Sequence, residues 1–314
     1  MALPRLKYHL LALAVVAVWG VTFVCTKVLI AAGMEPAGIF AIRFLLAYIG
    51  IWIFLLAGRG PVKIWSANFK DELVFLMLGV TGGSFYFLTE NTVLAYTQAA
   101  NVAFLVSSTP LLTMLFTLIY KQFGKSRFAR GLQDVRIGLP LIGGTVLALS
   151  GMAMVIFDGG RLQLSVKGDL LAIAAALCWA FYSLFMGQMS RDYGAVFATR
   201  KVFFYGLVTI LPFLGSCTGS FSPAVLSRPE VWTNLLFLGL IASLACFIVW
   251  NYVMDKLGNV SATNYVYLNP VFTLITAMIF LGERMTPLAA LGSAAIMAGV
   301  IWSGRTPTRF RSQQ

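Results

Sequence analysis

Long apolar runs separated by short polar turns fill nearly the whole chain. A helix needs about 20 residues to cross ~30 Å of hydrocarbon. Ten runs reach that length, at approximately 8–31, 36–57, 72–94, 99–120, 137–157, 168–189, 196–215, 231–254, 260–281 and 287–303. The connections are short and none could hold a soluble domain. The longest, Lys121–Arg136, is basic and contains Gly124 and Gly131, as a surface loop would. The first run follows Arg5 and Lys7 but is too long for a signal peptide.

The pattern repeats at an offset of 160 positions. That shift lays Asn91 on Asn251, Val93 on Val253, Pro110 on Pro270 and Thr113 on Thr273. It also lays Trp19 on Trp179 and Gly79 on Gly239. Three regions sharing one offset indicate a duplicated chain, with units at 8–157 and 168–303 between short tails, 1–7 and 304–314. Five helices per unit is an odd number, so the second unit must enter the membrane from the opposite face. Inverted repeats of this kind build secondary transporters, which bind substrate at the midplane between the units.

Composition agrees with a lipid environment. Apolar residues make up 59% of the chain and charged residues 11%, against about 25% charged in soluble domains; mean hydropathy is +0.86. The net charge of +12 is spread thinly between the runs, a topology signal rather than a nucleic-acid patch. With the N-terminus inside, 17 Lys and Arg fall on the cytoplasmic side and 4 on the other, with Lys27 and Arg43 inside runs. By the positive-inside rule both termini are cytoplasmic.

Candidate chemistry is sparse. Cys25, Cys178, Cys217 and Cys246 stand singly in apolar surroundings, and His9 begins the first run, so no metal or redox site is expected. There is no HExxH, no pair of intramembrane aspartates and no P-loop. An intramembrane enzyme therefore fits least, no cofactor is expected, and ATP cannot drive transport on this chain. A passive channel or facilitator shares most of the remaining features.

Ionisable residues inside runs are costly in lipid, at least ~2.5 kcal/mol each. Lys27 lies about 28 Å along the first helix, Arg43 roughly 10 Å into the second and Glu90 about 27 Å along the third, which puts all three in one outer-half layer. Trp19, Phe23 and Lys27 are spaced by four on one helix face. The layer reads either as a vestibule for an anionic group or as a structural Lys27–Glu90 or Arg43–Glu90 pair. No charge occurs at the matching positions Gly187 and Trp250. The second unit would line a site with Trp179, Tyr182, Ser183, Trp250, Asn264, Tyr265, Tyr267 and Asn269. Pro110, beside Ser107 and Ser108, and Pro270 should break their helices and open backbone to a cavity. Gly144 and Gly151 recur as Gly292 and Gly299, both pairs seven apart, which suits close packing within the chain or between copies of a homodimer.

The chain resembles an EamA-type member of the drug/metabolite transporter superfamily. The resemblance rests on WGVTF at Trp19–Phe23, Arg43-Phe44, and a proline-bearing helix ending in LGERMT at Leu281–Thr286. It spans roughly 8–303 in two units; the first departs with Phe123 where Glu283 would match. It implies an all-α, ten-helix multi-pass transporter of the cell membrane, commonly an exporter of amino acids or other small metabolites. Nucleotide-sugar and drug transporters of the same superfamily are the alternative.

Overall fold

The computed structural model describes residues 3–58, 62–96, 99–123, 128, 134–135, 138–157, 166–281, 286–303 and 308–309. Helix forms over every apolar run. α1 (Leu3–Ala31) and α2 (Pro36–Ala57) are uninterrupted. Pro36 opens α2 where a missing N–H costs nothing. α3 (Phe69–Gly79) is capped by Asn68, whose side chain accepts from the Asp71 N–H at 2.9 Å. It runs through a π-helical turn, Val80–Ser84, into α4 (Phe85–Tyr96). α5 (Ala99–Val106) and α6 (Thr109–Phe123) make up the fourth run, and α7 (Leu139–Phe157) the fifth.

α8 (Val166–Tyr193) and α9 (Ala195–Ile210) meet in a tight turn at Gly194, whose φ is +83°. α10 (Pro223–Leu226) is a single turn that precedes α11 (Pro229–Leu236). A longer π segment, Phe237–Ala245, joins α11 to α12 (Cys246–Leu257). α13 (Asn259–Thr263), a 3-10 stretch at Asn264–Leu268 and α14 (Asn269–Leu281) form the ninth run, and α15 (Pro287–Ser303) the tenth. A two-residue antiparallel contact pairs β1 (Asp134–Val135) with β2 (Thr308–Arg309).

Among the described residues, 6 helices are long and apolar enough to cross a membrane. They are α1, α2, α3 with α4, α8, α9 with the turn after it, and α11 with α12. α7 and α15 are shorter apolar helices, and the fourth and ninth runs are each broken in two. Most of the Lys121–Arg136 loop, and Glu283 and Arg284 of LGERMT, lie outside the described residues.

The helices pack on a dense aromatic core. Trp19 stands 5.3 Å from Trp179, 4.9 Å from Trp250 and 5.9 Å from Phe247, mostly edge to face. Phe44 meets Phe203 and Phe247 at 4.9 and 5.8 Å. α7 and α15 touch backbone to backbone. A Cβ on Gly144 would lie 2.6 Å from Gly299 O, and one on Gly299 would lie 2.5 Å from Gly144 O. Gly151 meets Gly292 O in the same way. The repeated glycines thus serve a contact inside one chain.

Candidate functional site

The broken runs meet at the centre of the bundle. Pro110 and Pro270 are each the second residue of a helix, α6 and α14, so they start segments rather than bend the middle of one. The break expected at each proline lies just upstream of it, at Ser107-Ser108 and at Asn264–Leu268. A proline leaves the carbonyl four residues back without its usual donor. Thr109 Oγ1 takes Val106 O at 2.6 Å, and Ser107 Oγ lies 3.1 Å from Val266 O. The Ser107 hydroxyl, which also lies 2.5 Å from Ala103 O in its own helix, shares its one proton between the two carbonyls and so brings one break against the other.

Beside this junction is a cavity of about 30 Å³. Trp19, Thr22 and Phe23 of α1, Arg43 of α2, Tyr86, Phe87 and Glu90 of α4, and Val106 of α5 form one wall. Trp179 of α8, Phe247 of α12, and Val266 and Asn269 of the second break form the other. The volume admits a few waters and no metabolite. Six of these residues form pairs 160 apart in sequence: Trp19 with Trp179, Phe87 with Phe247, and Val106 with Val266. The two charges have no counterpart, since Arg43 matches Phe203 and Glu90 matches Trp250.

The π segment before α12 positions the first half of this site. Inserting a residue into a helix shifts its ladder and leaves polar groups free to reach a neighbour. Ala242 O accepts from Trp19 Nε1 at 3.0 Å, and Ser243 Oγ lies 2.6 Å from Arg43 Nε. The Arg43 guanidinium also sits over the Phe87 ring, 4.4 Å from its centre. Glu90 is held separately: Tyr86 OH donates to its Oε1 at 2.7 Å. Arg43 and Glu90 are both buried and line the same cavity, yet no direct ion pair joins them among the described residues. Each of the two side chains is thus bonded to a neutral one. Asn269 Oδ1, also buried at this cavity, has no hydrogen-bond partner among the described residues.

Of the residues expected from the sequence, Trp19, Phe23, Arg43, Glu90, Trp179 and Asn269 line the cavity. Ser107 and Ser108 form the break beside it. Trp250 packs behind Trp19, while Tyr182 OH bonds Asn251 Oδ1 at 2.6 Å, and Ser183 is buried away from the lining. Asn264 reaches Ser303 on α15 at 3.4 Å, and Tyr265 OH reaches His9 Nδ1 at 2.7 Å, so both point elsewhere. Lys27 is exposed on the outside of the bundle. Four helical residues turn the chain about 400°, so two such steps carry Lys27 roughly 80° round from Trp19. Lys27 does not line this cavity, and no Lys27–Glu90 ion pair is formed among the described residues. Thr22, Tyr86, Phe87, Val106, Phe247 and Val266 were not anticipated. Phe87–Phe247 and Val106–Val266 obey the repeat offset, which could have found them.

An apolar bundle of broken and π-distorted helices around a small polar cavity defines a multi-pass membrane protein of the transporter type. Comparison with known proteins agrees: the EamA-like transporter family matches residues 6–157 and again 166–305, and the chain belongs to that family. It is 27% identical over 300 residues to an uncharacterized transporter of Archaeoglobus fulgidus, covering 94% of this chain and 96% of that one. It is 26% identical to a "probable amino-acid metabolite efflux pump" of Escherichia coli, covering 94% and 93%. A "probable terminal-alkyne amino-acid exporter" of Streptantibioticus cattleyicolor is 25% identical, covering 87% and 85%. A solved crystal structure superposes with a TM-score of 0.72 at 18% identity, covering 95% of this chain and 98% of that one, a likeness of fold. The family and these named relatives are transporters, not enzymes.

Proposed function

We propose that the protein is a gradient-driven transporter that exports amino acids or related small metabolites across the cell membrane by alternating access. The observation that carries this reading is that Arg43 and Glu90, each bonded to a neutral side chain, both line an aromatic cavity at the crossing of two broken helices. A zwitterion suits that pair of groups. Its carboxylate would bridge to the terminal guanidinium nitrogens of Arg43, since Nε is occupied by Ser243. Its ammonium would meet Glu90 and the unpartnered Asn269 Oδ1. Trp19, Trp179, Phe87 and Phe247 would enclose the apolar remainder. Relatives named as a probable amino-acid exporter and a probable amino-acid metabolite efflux pump support the same class.

A cavity of about 30 Å³ cannot hold an amino acid, so admission needs the helices to separate. That favours a gated carrier over an open pore. Two five-helix units are supported by the recurrence of irregularities at related positions, and cytoplasmic ends by the distribution of Lys and Arg. The π segments fall at Val80–Ser84 and Phe237–Ala245, and the breaks at Ser107-Ser108 and Asn264–Leu268. The two family matches divide the chain at the same place.

Purified protein in liposomes tests the reading. Preloaded unlabelled amino acid should accelerate uptake of the labelled compound, and the rate should saturate. Flux that rises linearly with concentration and shows no counterflow would replace the carrier with a passive pathway.

A further inference from the structure

A second opening, about 660 Å³, shares no residue with the aromatic cavity. It is a wedge at the end of the bundle where α2 and α12 finish and α8 turns into α9. Its polar wall carries three cations, Lys63, Arg191 and Arg200, and one carboxylate, Asp255. Asp255 is already neutralised by Lys256, whose Nζ lies 2.7 Å away. Asp192, beside Arg191, accepts from the neutral Gln188 Nε2 at 2.7 Å and keeps its charge, so the three cations face this one carboxylate besides the Asp255–Lys256 pair. The wedge therefore keeps an excess of positive charge.

The cations are held in place before any ligand arrives. Arg200 donates to the carbonyls of Lys63 and Ile64 and lies 5.0 Å from the centres of both the Trp52 and Phe197 rings. Arg191 donates to Gln188 Oε1 at 2.8 Å, and Lys63 Nζ lies over the Tyr193 ring. The other walls are apolar, formed by Leu55, Ile248 and the ring of Tyr252. The α2 wall continues outward as exposed Ile53, Phe54 and Leu56, each more than 60% accessible.

A soluble anion needs the cations but not this apolar flank, whereas a phospholipid uses both. We propose that the wedge binds the phosphate headgroup of an anionic phospholipid, with the acyl chains lying along the exposed face of α2. Arginine at such a site offers phosphate a forked pair of donors, and the aromatic rings hold the headgroup level. The assignment is independent of what the central cavity transports.

The test uses the full-length protein in neutral detergent, with native mass spectrometry and thermal unfolding as readouts. Phosphatidylglycerol should be retained as an adduct and raise the melting temperature more than phosphatidylcholine does. The double variant Lys63→Gln/Arg191→Gln should weaken that preference by roughly fivefold for each cation removed. Lys27→Gln, an exposed cation on a different helix, should leave it unchanged. Should the double variant fail to fold, Lys63→Gln alone carries the test. Equal retention of the two lipids, or a preference that survives in the variant, overturns the site. A shift reproduced in full by glycerol 3-phosphate overturns the lipid assignment in favour of a soluble phosphate.

Discussion

Arg43 and Glu90 carry the residue-scale argument because each is held by a neutral partner instead of by the other. A charge-assisted hydrogen bond is worth about 1.5–3 kcal/mol, or roughly 10- to 100-fold in affinity. Arg43→Gln should raise the half-saturating concentration of an amino acid by about that factor and leave the matching decarboxylated amine little affected. Glu90→Gln should do the reverse, sparing the deaminated acid; transport assays with the three compounds read the split. Equal losses for all three would reduce the pair to a structural role. Lys27→Ala, by contrast, should alter neither transport nor thermal stability, because the side chain projects outside the bundle. The sequence marks Arg43 and Glu90 as buried charges because lipid tolerates few. Lys27 is exposed instead of lying in the layer with them, because spacing by four drifts around a helix and a charge near its end can turn outward. Phe87 and Phe247 were hidden for a different reason: among 25 phenylalanines in an apolar chain, lining a cavity and packing a core look alike.

At the scale of elements, all ten apolar runs were legible, several to within a residue, because each hydrophobic stretch has hard polar or glycine/proline limits. The two breaks were legible through their prolines, although the break lies before the proline rather than at it. The distorted segments were not: Val80–Ser84 kinks at Gly83, beside Gly82, whereas Phe237–Ala245 carries no comparable marker. Gly79 and Gly239 at these segments admit crossing helices: a Cβ on Gly79 would meet Tyr205 Cβ at 2.4 Å, and one on Gly239 would meet Leu46 Cβ at 2.8 Å. Ser107 links the breaks, which sets up a test of their coupling. Pro270→Ala restores an N–H that can compete for Val266 O and extend α14 backward through the break. The protein should still fold, with melting temperature near that of the parent, and transport should fall severalfold. Adding Ser107→Ala should then cost little more, because the contact it removes is already displaced. Independent, multiplying losses in the double variant would show that the breaks work separately.

At the scale of the whole molecule, polar clasps join the early and late parts of the chain at both ends of the bundle. At one end Lys201 pairs with Glu72 at 2.8 Å, and Arg200 grips the carbonyls after α2. At the other, the Glu35 carboxylate accepts from the N–H groups of Gly219 and Ser220, at 2.8 and 2.6 Å, and from Ser220 Oγ at 2.6 Å. With both clasps made, the cavity between, about 30 Å³, is too small for an amino acid, as the proposed carrier would be when closed at both ends. Removing one clasp should open that end alone. In Glu35→Ala, a cysteine introduced at cavity-lining Thr22 should react faster with an impermeant thiol reagent added from the Glu35 side. An exposed cysteine at Ser227 supplies the reference rate, in a background lacking the native cysteines. Acid should not mimic the mutation. Burial works to raise the Glu35 pKa, but the Ser220 hydroxyl and the two N–H groups outweigh it and hold the carboxyl below its ordinary value. A depressed folded pKa gives a contribution that is present above the usual carboxylate value of about 4.3 and is lost only as pH falls through the lower folded one. Bringing that side from pH 7 to about pH 5 should therefore leave the Thr22 to Ser227 rate ratio unchanged in the parent, while Glu35→Ala raises it at both pH values. A parent ratio that climbs by pH 5 would mean the clasp is already titrating, and a ratio untouched by Glu35→Ala would remove the clasp from the gate.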